Sequence, residues 1–181
     1  MRVSVLGCGR WGSFHAWYAH RVGHAVTLWG RAGSAHLAQL RGTRTNEFLT
    51  LPEDICLTDD LVTAIRTAEI VIISIHAQAL RSFLRDLRAQ GYGEELANKY
   101  VILCMKGIEI GTGKRLTTVV HEELGAAVKP VVWVGPGHVQ DFVRGIPNCM
   151  VLAGEDREAL RVLVDVLGSP LIRFYYGEDL L

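Results

Sequence analysis

Residues Val3 to Gly12 read VSVLGCGRWG, an apolar run that passes directly into a glycine-rich turn at the head of a helical pattern. In such a G-x-G-x-x-G turn, Gly7 permits the tight turn and Gly9 lets the backbone approach a pyrophosphate, while Gly12 lets the helix pack close to the strand. The helix N-terminus adds free N–H groups and a partial positive charge. Glycines also cap ordinary turns, but the preceding strand and the following helix favour a dinucleotide site here.

Outward from this turn, strand and helix patterns alternate along nearly the whole chain. Apolar runs rich in β-branched residues predict strands at 3–6, 25–29, 55–57, 70–75, 100–105, 131–134, 149–153 and 171–175. Helical spacing predicts helices at 11–22, 35–41, 61–67, 78–90, 115–124 and 158–167, and Gly23, Gly91 and Gly125 follow three of them as left-handed caps. The alternation predicts an α/β fold of Rossmann type, a doubly wound, mostly parallel sheet with helices on both faces.

The residues after the second strand bear on the choice of dinucleotide. A carboxylate at this point would accept a hydrogen bond from the adenosine 2′-hydroxyl, but the sequence has Trp29, Gly30 and Arg31. Arg31 is suited to a 2′-phosphate, so NADP is at least tolerated and NAD stays open. The alternative is that Arg31 is a solvated loop arginine.

The composition limits the classes of protein to which this chain could belong. Lys plus Arg equals Asp plus Glu at 19 each, so the whole-chain charge favours neither nucleic acid nor an anionic membrane surface. The four cysteines stand far apart, and His121-Glu122 lacks the second histidine of a zinc-protease helix, so no metal site is expected. The first apolar run is too short for a signal peptide or a membrane span, and we expect a cytoplasmic protein.

Several segments together resemble NAD(P)-dependent glycerol-3-phosphate dehydrogenase of the bacterial type, over nearly the whole chain. The resemblance is strongest at Lys106-Gly107-Ile108-Glu109 and Gly135-Pro136-Gly137-His138. It also runs through Trp11, Leu28–Arg31, Arg44–Leu49, Thr58–Leu61, Gln78–Arg81 and Phe174–Asp179. The resemblance implies hydride transfer between NAD(P)H and dihydroxyacetone phosphate to give sn-glycerol 3-phosphate, and it allows a homodimer in the full-length form.

The resemblance also implies roles for particular residues. It assigns substrate contacts to Lys106, Gly135 and Gly137. It assigns cofactor contacts to Gly7, Gly9, Arg10, Trp11, Gly12, Arg31, Phe48, Lys106 and Val139. Lys106 follows an apolar strand, at the edge where doubly wound sheets bind ligands, although an isolated lysine there could also mark a return to solvent.

The sequence departs from the family pattern at three places. Gly137 stands where the family usually has serine or threonine, and Val139 stands where it has alanine. Residues 74–78 lack the family's Pro-Ser pair and include His76, which could line the nicotinamide region or be a structural loop histidine. We expect these changes to affect substrate recognition more than cofactor binding, because backbone and helix dipole hold the pyrophosphate.

The domain organisation follows from the resemblance. Residues 1–181 are expected to form one NAD(P)-binding domain, with the family's helical catalytic domain and its proton-donating lysine absent. We therefore expect little activity from this chain alone. Two alternatives stay open: a non-catalytic NAD(P)-sensing or assembly module, and a related ketopantoate or hydroxyacid reductase, against which the Lys106-Gly107 and Gly135-Pro136 pairs speak.

Overall fold

The computed structural model describes residues 1–177, and the last residues of the tail motif, Glu178 and Asp179, lie outside this range. The described strands are β1 Arg2–Leu6, β2 Ala25–Trp29, β3 Cys56–Thr58, β4 Ile70–Ile73, β5 Tyr100–Leu103, β6 Pro130–Val134, β7 Asn148–Ala153 and β8 Ile172–Gly177. The described α-helices are α1 Arg10–Arg21, α2 Ala35–Thr43, α3 Leu61–Thr67, α4 Leu80–Ala89, α5 Gly93–Leu96, α6 Leu116–Leu124, α7 Val139–Val143 and α8 Arg157–Leu167.

The described strands form one sheet in the order β3-β2-β1-β4-β5-β6-β7-β8. The strands from β3 to β6 are parallel, whereas β7 runs antiparallel to β6 and parallel to β8. The chain order reverses between β1 and β4, and such a switch point opens a crevice at the carboxyl ends of the strands. The predicted doubly wound, mostly parallel fold is confirmed.

Alternation along the buried strands sends side chains to two separate apolar layers. On one face, Val5 and Phe14 belong to a core formed by α1, α2, α7 and α8 against the sheet. On the other, Ile73 and Leu84 belong to a core formed by α3, α4, α5 and α6. Strands covered on both faces read as continuous apolar runs, which is why their positions could be predicted.

The element boundaries differ from the sequence predictions mainly at the carboxyl edge of the sheet. Strand β4 ends at Ile73 and β5 at Leu103, two residues earlier than predicted in each case, because the backbone there leaves the ladder to line the cleft. A short 3-10 turn at Ala77–Ala79 precedes α4, where the sequence predicts one continuous helix. The short helices α5 and α7 were not predicted, because one or two turns give too little periodicity.

Candidate functional site

A groove runs along the carboxyl edge of the sheet, at the switch point between β1 and β4. It consists of two adjoining cavities of about 430 and 500 Å³, and both are lined by Gly9 and by residues 74–76. One cavity extends towards Arg31 after β2, and the other extends towards Lys106 and Gly135 after β5 and β6. The groove therefore brings most of the predicted cofactor residues to one surface with Lys106 and Gly135, whereas Phe48, Gly137 and Val139 line neither cavity.

Two glycines of the turn are required by close backbone contacts. A Cβ on Gly7 would lie 2.1 Å from the Ser74 carbonyl oxygen, and the Gly7 φ of 122° already disfavours a side chain. A Cβ on Gly12 would lie 1.7 Å from the Gly7 carbonyl oxygen. The strand, the turn and α1 thus approach too closely for any residue but glycine, as the motif predicts.

Gly9 differs from these two, because no described atom lies within 4 Å of a Cβ built there. Its φ of −75° and ψ of −169° are also open to other residues. Neither the fold nor the backbone conformation explains this glycine, and any side chain would point into the groove. Within residues 1–177 no side chain caps the N-terminus of α1, so its first N–H groups can face an anion.

Arg10 connects the turn to two other parts of the chain. Its guanidinium lies 4.2 Å from the centre of the Phe48 ring and donates to Gln140 Oε1 of α7 at 2.6 Å. The predicted cofactor residues Arg10 and Phe48 are therefore in contact. Val139 is also on α7, but its side chain is fully buried in the core, so only its backbone could serve a cofactor.

The cavity beyond the second strand contains a small polar group of residues. Arg31 is exposed and lines this cavity together with Ser34 and His36 at the start of α2. Gly30 lets Cys8 pack close to the backbone here, because a Cβ would lie 2.4 Å from Cys8 Sγ. This arrangement places a guanidinium at the end of β2, where the sequence predicts an adenosine 2′-phosphate site.

At the other end of the groove, the two predicted substrate segments meet. Lys106 Nζ donates a hydrogen bond to the Gly135 carbonyl oxygen at 3.2 Å. Lys106 is exposed and lines the 500 Å³ cavity together with Trp11. Because an ammonium has three donors, Lys106 can bind an anionic ligand and keep its hydrogen bond to the Gly135 carbonyl oxygen.

The loop that carries Lys106 is held by a side chain from the β4–α4 segment. Gln78 Nε2 donates to the Ile108 carbonyl oxygen at 2.9 Å, and the Ile110 N–H donates to Gln78 Oε1 at 2.8 Å. The amide thus pairs with the loop backbone much as a neighbouring strand would. Gln78 belongs to the segment that resembles the family, and its part in fixing this loop is visible only in the structure.

A cluster of charged residues from α4 and α6 also anchors this loop. The Arg81 guanidinium contacts both carboxylate oxygens of Glu109 at 2.7 Å, and it reaches Glu122 and Glu123 of α6 at 2.8 and 2.7 Å. The side chains of Arg81 and Glu109 are only 17% and 14% exposed, which favours a defined geometry. Arg81, together with the Thr112 hydroxyl, lowers the pKa of Glu109 to about 2.

The structure explains why glycine stands at position 137. Its φ is 113°, and a Cβ would lie 2.9 Å from both Asn148 Nδ2 and the Phe142 ring. Serine or threonine would be strained there, so the departure from the family pattern fits the local backbone. His138 is the exposed N-cap residue of α7, and its side chain makes no capping hydrogen bond within the described chain.

One cleft residue was missed by the sequence reasoning. His15 lies on the face of α1 that reads as core, yet it is among the residues that line the 500 Å³ cavity. Burial alone lowers the pKa of this imidazole to about 3. Its signal in the sequence is a titratable residue one turn after Trp11, at the spacing of an otherwise apolar face.

Among residues 1–177, no group of three or more His, Cys, Asp or Glu side chains is placed to hold a metal ion. No helix in the same range is long and apolar enough to cross a membrane.

Several known proteins similar to this chain are glycerol-3-phosphate dehydrogenases. A family model for the N-terminus of NAD-dependent glycerol-3-phosphate dehydrogenase matches residues 2–160. Glycerol-3-phosphate dehydrogenases of the NAD(P)+ type from a Thermoanaerobacter species and from Bradyrhizobium diazoefficiens are 35% and 37% identical, over 99% and 98% of this chain. The chain spans about half the length of these relatives, 53% in both cases.

The fold is also similar to that of a solved structure. The crystal structure of glycerol-3-phosphate dehydrogenase from Coxiella burnetii superposes with a TM-score of 0.86 at 23% sequence identity. That superposition covers 99% of this chain and 54% of the solved chain. At this level of identity, the superposition shows that the two chains share a fold.

Proposed function

This chain belongs to the NAD-dependent glycerol-3-phosphate dehydrogenase family, and from that premise we propose that it is the NAD(P)-binding part of a dehydrogenase. The reaction proposed for the complete enzyme interconverts dihydroxyacetone phosphate and sn-glycerol 3-phosphate. The observation that carries the proposal is the open space at Gly9, on the same groove as Lys106, beside the N-terminus of α1, which no side chain of residues 1–177 caps. A cytoplasmic location and a homodimeric full-length form stay predictions.

The residues of the groove fit a dinucleotide in two respects. The turn at Gly9 presents backbone N–H groups to a space that the protein itself does not fill, as a pyrophosphate requires. The Arg31 cavity and the Lys106 cavity adjoin on either side of this turn, so adenosine and nicotinamide halves each have a compartment. We assign the cofactor to Gly7, Gly9, Arg10, Trp11, Gly12, Arg31, Phe48 and Lys106, and to the backbone of Val139.

When bound, NAD(P)H supplies the hydride, and the residues of this chain orient the reacting groups. In the proposal, Lys106 binds the phosphate or carbonyl oxygen of the substrate, with the backbone at Gly135 and Gly137 beside it. The Gln78 bridge and the Arg81 cluster keep the Lys106 loop in place. A positioned cation matters because misplacement by about 1 Å can lower a rate a hundredfold.

The other wall of the cleft is proposed to come from a helical domain in the complete enzyme. The relatives are about twice as long as this chain. Beside the first turn of α6, the sheet also has a partly exposed apolar area, where Val132, Val134 and Val151 line a cavity of about 710 Å³ next to Lys106. A second domain on this face would shield the substrate from water and would supply the proton donor.

The proposal is tested by substituting the glycine that the fold does not require. Gly9→Val should leave the thermal stability unchanged, because a Cβ there meets no described atom, but its branches would occupy the pyrophosphate space. We expect the affinity for NADH and NADPH to fall about a hundredfold, as expected when one or two hydrogen bonds to a charged group are lost. The measurement is isothermal calorimetry on the purified chain.

A matched control is available at Gly42 in α2, which also has no described atom within 4 Å of a Cβ and does not line the groove. Gly42→Val should bind both dinucleotides like the wild-type chain. If the folded wild-type chain binds neither dinucleotide at millimolar concentration, the proposed function is wrong. Equal binding by Gly9→Val would instead show that the pyrophosphate lies elsewhere.

A further inference from the structure

His15 lies in an aromatic cage at the inner wall of the groove. Its ring centre lies 4.8 Å from that of Trp133 on β6, and 5.6 and 5.8 Å from those of Phe14 and Trp11 on its own helix. The residue is 2% exposed, yet it is among the residues that line the same cavity as Lys106. This imidazole is therefore almost wholly enclosed by protein and borders the space assigned to the ligand.

One nitrogen of the His15 ring lacks a partner among the described residues. Within residues 1–177, His15 Nδ1 is buried and has no hydrogen-bond partner. His24 is a useful contrast, because its Nδ1 pairs with the Met1 ammonium at 3.3 Å and its Nε2 with the Val166 carbonyl oxygen at 2.8 Å. Buried polar groups in folded proteins are nearly always paired, so the unpaired ring needs an explanation.

Two polar groups on neighbouring aromatic residues have other partners. Trp133 Nε1 donates to Met150 Sδ at 2.8 Å, and the Tyr18 hydroxyl donates to the Leu167 carbonyl oxygen at 2.6 Å. A leucine in the same cage would pack against the same rings without leaving a nitrogen unpaired. Packing alone therefore gives no reason for a histidine at this position.

We propose that His15 contacts the ligand in the groove and recognises an uncharged group that both donates and accepts hydrogen bonds. This inference rests on the proposed function, which supplies two such groups: the carboxamide of nicotinamide and the hydroxyl of a three-carbon phosphate. A neutral imidazole has one donor and one acceptor nitrogen, which matches either group. It offers no charge to a phosphate, and Lys106 and the α1 N-terminus are better placed for that.

The enclosure of the ring makes the contact selective. Because the aromatic cage excludes water, a ligand without the matching group leaves the imidazole unpaired, whereas a matching ligand satisfies it. A half-turn of the ring exchanges its nitrogen and carbon positions within the same envelope, so either nitrogen can be turned towards the cavity. His15 therefore favours a ligand that presents a matching hydrogen-bonding group at the inner wall of the groove.

The experiment compares His15→Leu with the wild-type chain by calorimetry, using NADH and ADP-ribose as probes. ADP-ribose has the same adenosine and pyrophosphate but lacks the nicotinamide ring. If the partner is the carboxamide, NADH affinity should fall about fivefold to tenfold, the usual effect of one hydrogen bond, while ADP-ribose affinity stays unchanged. If the partner is the hydroxyl, the same fall should be seen for glycerol 3-phosphate added to NADH-saturated protein.

Two further variants separate recognition from structure. His15→Gln keeps a donor and an acceptor and should recover part of the lost affinity, whereas His15→Leu should raise the melting temperature of the ligand-free chain. His24→Leu, which removes a paired histidine far from the groove, should lower the melting temperature and leave all three affinities unchanged.

The inference is overturned if His15→Leu binds NADH and glycerol 3-phosphate like the wild-type chain, or if ADP-ribose affinity falls equally with NADH affinity. Both outcomes require a wild-type chain that binds ADP-ribose and NADH. A wild-type chain that binds neither refutes the proposed function instead, so the two failures are distinguishable.

Discussion

The buried imidazole of His15 should make the chain less stable in mild acid. Burial lowers its pKa from 6.5 to about 3, so the folded state stays unprotonated where the unfolded state takes up a proton. Because the folded pKa lies below the unfolded one, stability is highest above pH 6.5 and falls as the pH drops towards the folded value. Between about pH 7 and about pH 5 this one group should lower the free energy of unfolding by about 2 kcal/mol.

The assay is urea unfolding of the wild-type chain and His15→Leu at both pH values. Other titrating groups contribute equally to both proteins, so the difference between their unfolding free energies isolates His15. The stability advantage of His15→Leu over the wild type should grow by about 2 kcal/mol from the higher to the lower pH. Parallel pH profiles would show that the folded ring is protonated or hydrated, and the reasoning about its enclosure would then be wrong.

The same comparison with His24→Leu gives a matched reference. Burial lowers the pKa of His24 as well, but the hydrogen bond to the Val166 carbonyl oxygen opposes that shift. The pH-dependent difference should therefore be smaller than for His15. A larger difference at His24 would contradict the view that missing partners make His15 the more acid-sensitive group.

Two further predictions concern the ends of the groove. Arg31→Asp should lower the ratio of NADPH to NADH affinity by about tenfold to a hundredfold, because a phosphate partner is replaced by a like charge; an unchanged ratio in fluorescence titration would mean that the guanidinium points to solvent. Lys106→Ala should weaken glycerol 3-phosphate binding to NADH-saturated protein by about tenfold or more, the usual loss when a hydrogen bond to a charged group is removed. Unchanged affinity in calorimetry would remove Lys106 from the proposed substrate site.

The parts of the site that were predicted from the sequence rest on backbone requirements. Gly7 and Gly12 are needed because strand, turn and helix approach within contact distance, and such a need leaves a fixed spacing in the sequence. Gly23 and Gly91 follow α1 and α4 with φ values of 93° and 82°, as predicted for left-handed caps, whereas Gly125 ends α6 with a φ of 88° and an extended ψ of 165°. Lys106 and Gly135 could be placed together because the ends of neighbouring parallel strands meet at one edge.

Features that depend on packing between distant segments were not predicted. Strand β7 pairs with β6 in the antiparallel direction. Because a strand's apolar pattern is the same in either direction, the sequence could not predict this. The crowding of Gly137 by Phe142 and Asn148 likewise needs the folded structure. A glycine that replaces a family serine looks like a lost hydrogen bond in the sequence, whereas in the structure it relieves strain.

Gly9 and His15 each indicate a ligand in the groove, but in different ways. Gly9 leaves a space that the protein does not fill, and His15 leaves a hydrogen-bonding group that the protein does not pair. The folded chain explains neither by itself, and both border one cavity. Because stability alone would favour a side chain at the first position and an apolar residue at the second, their coincidence in one groove favours selection for a ligand. The Gly9 space suits the anionic part of that ligand, and the His15 ring suits an uncharged part.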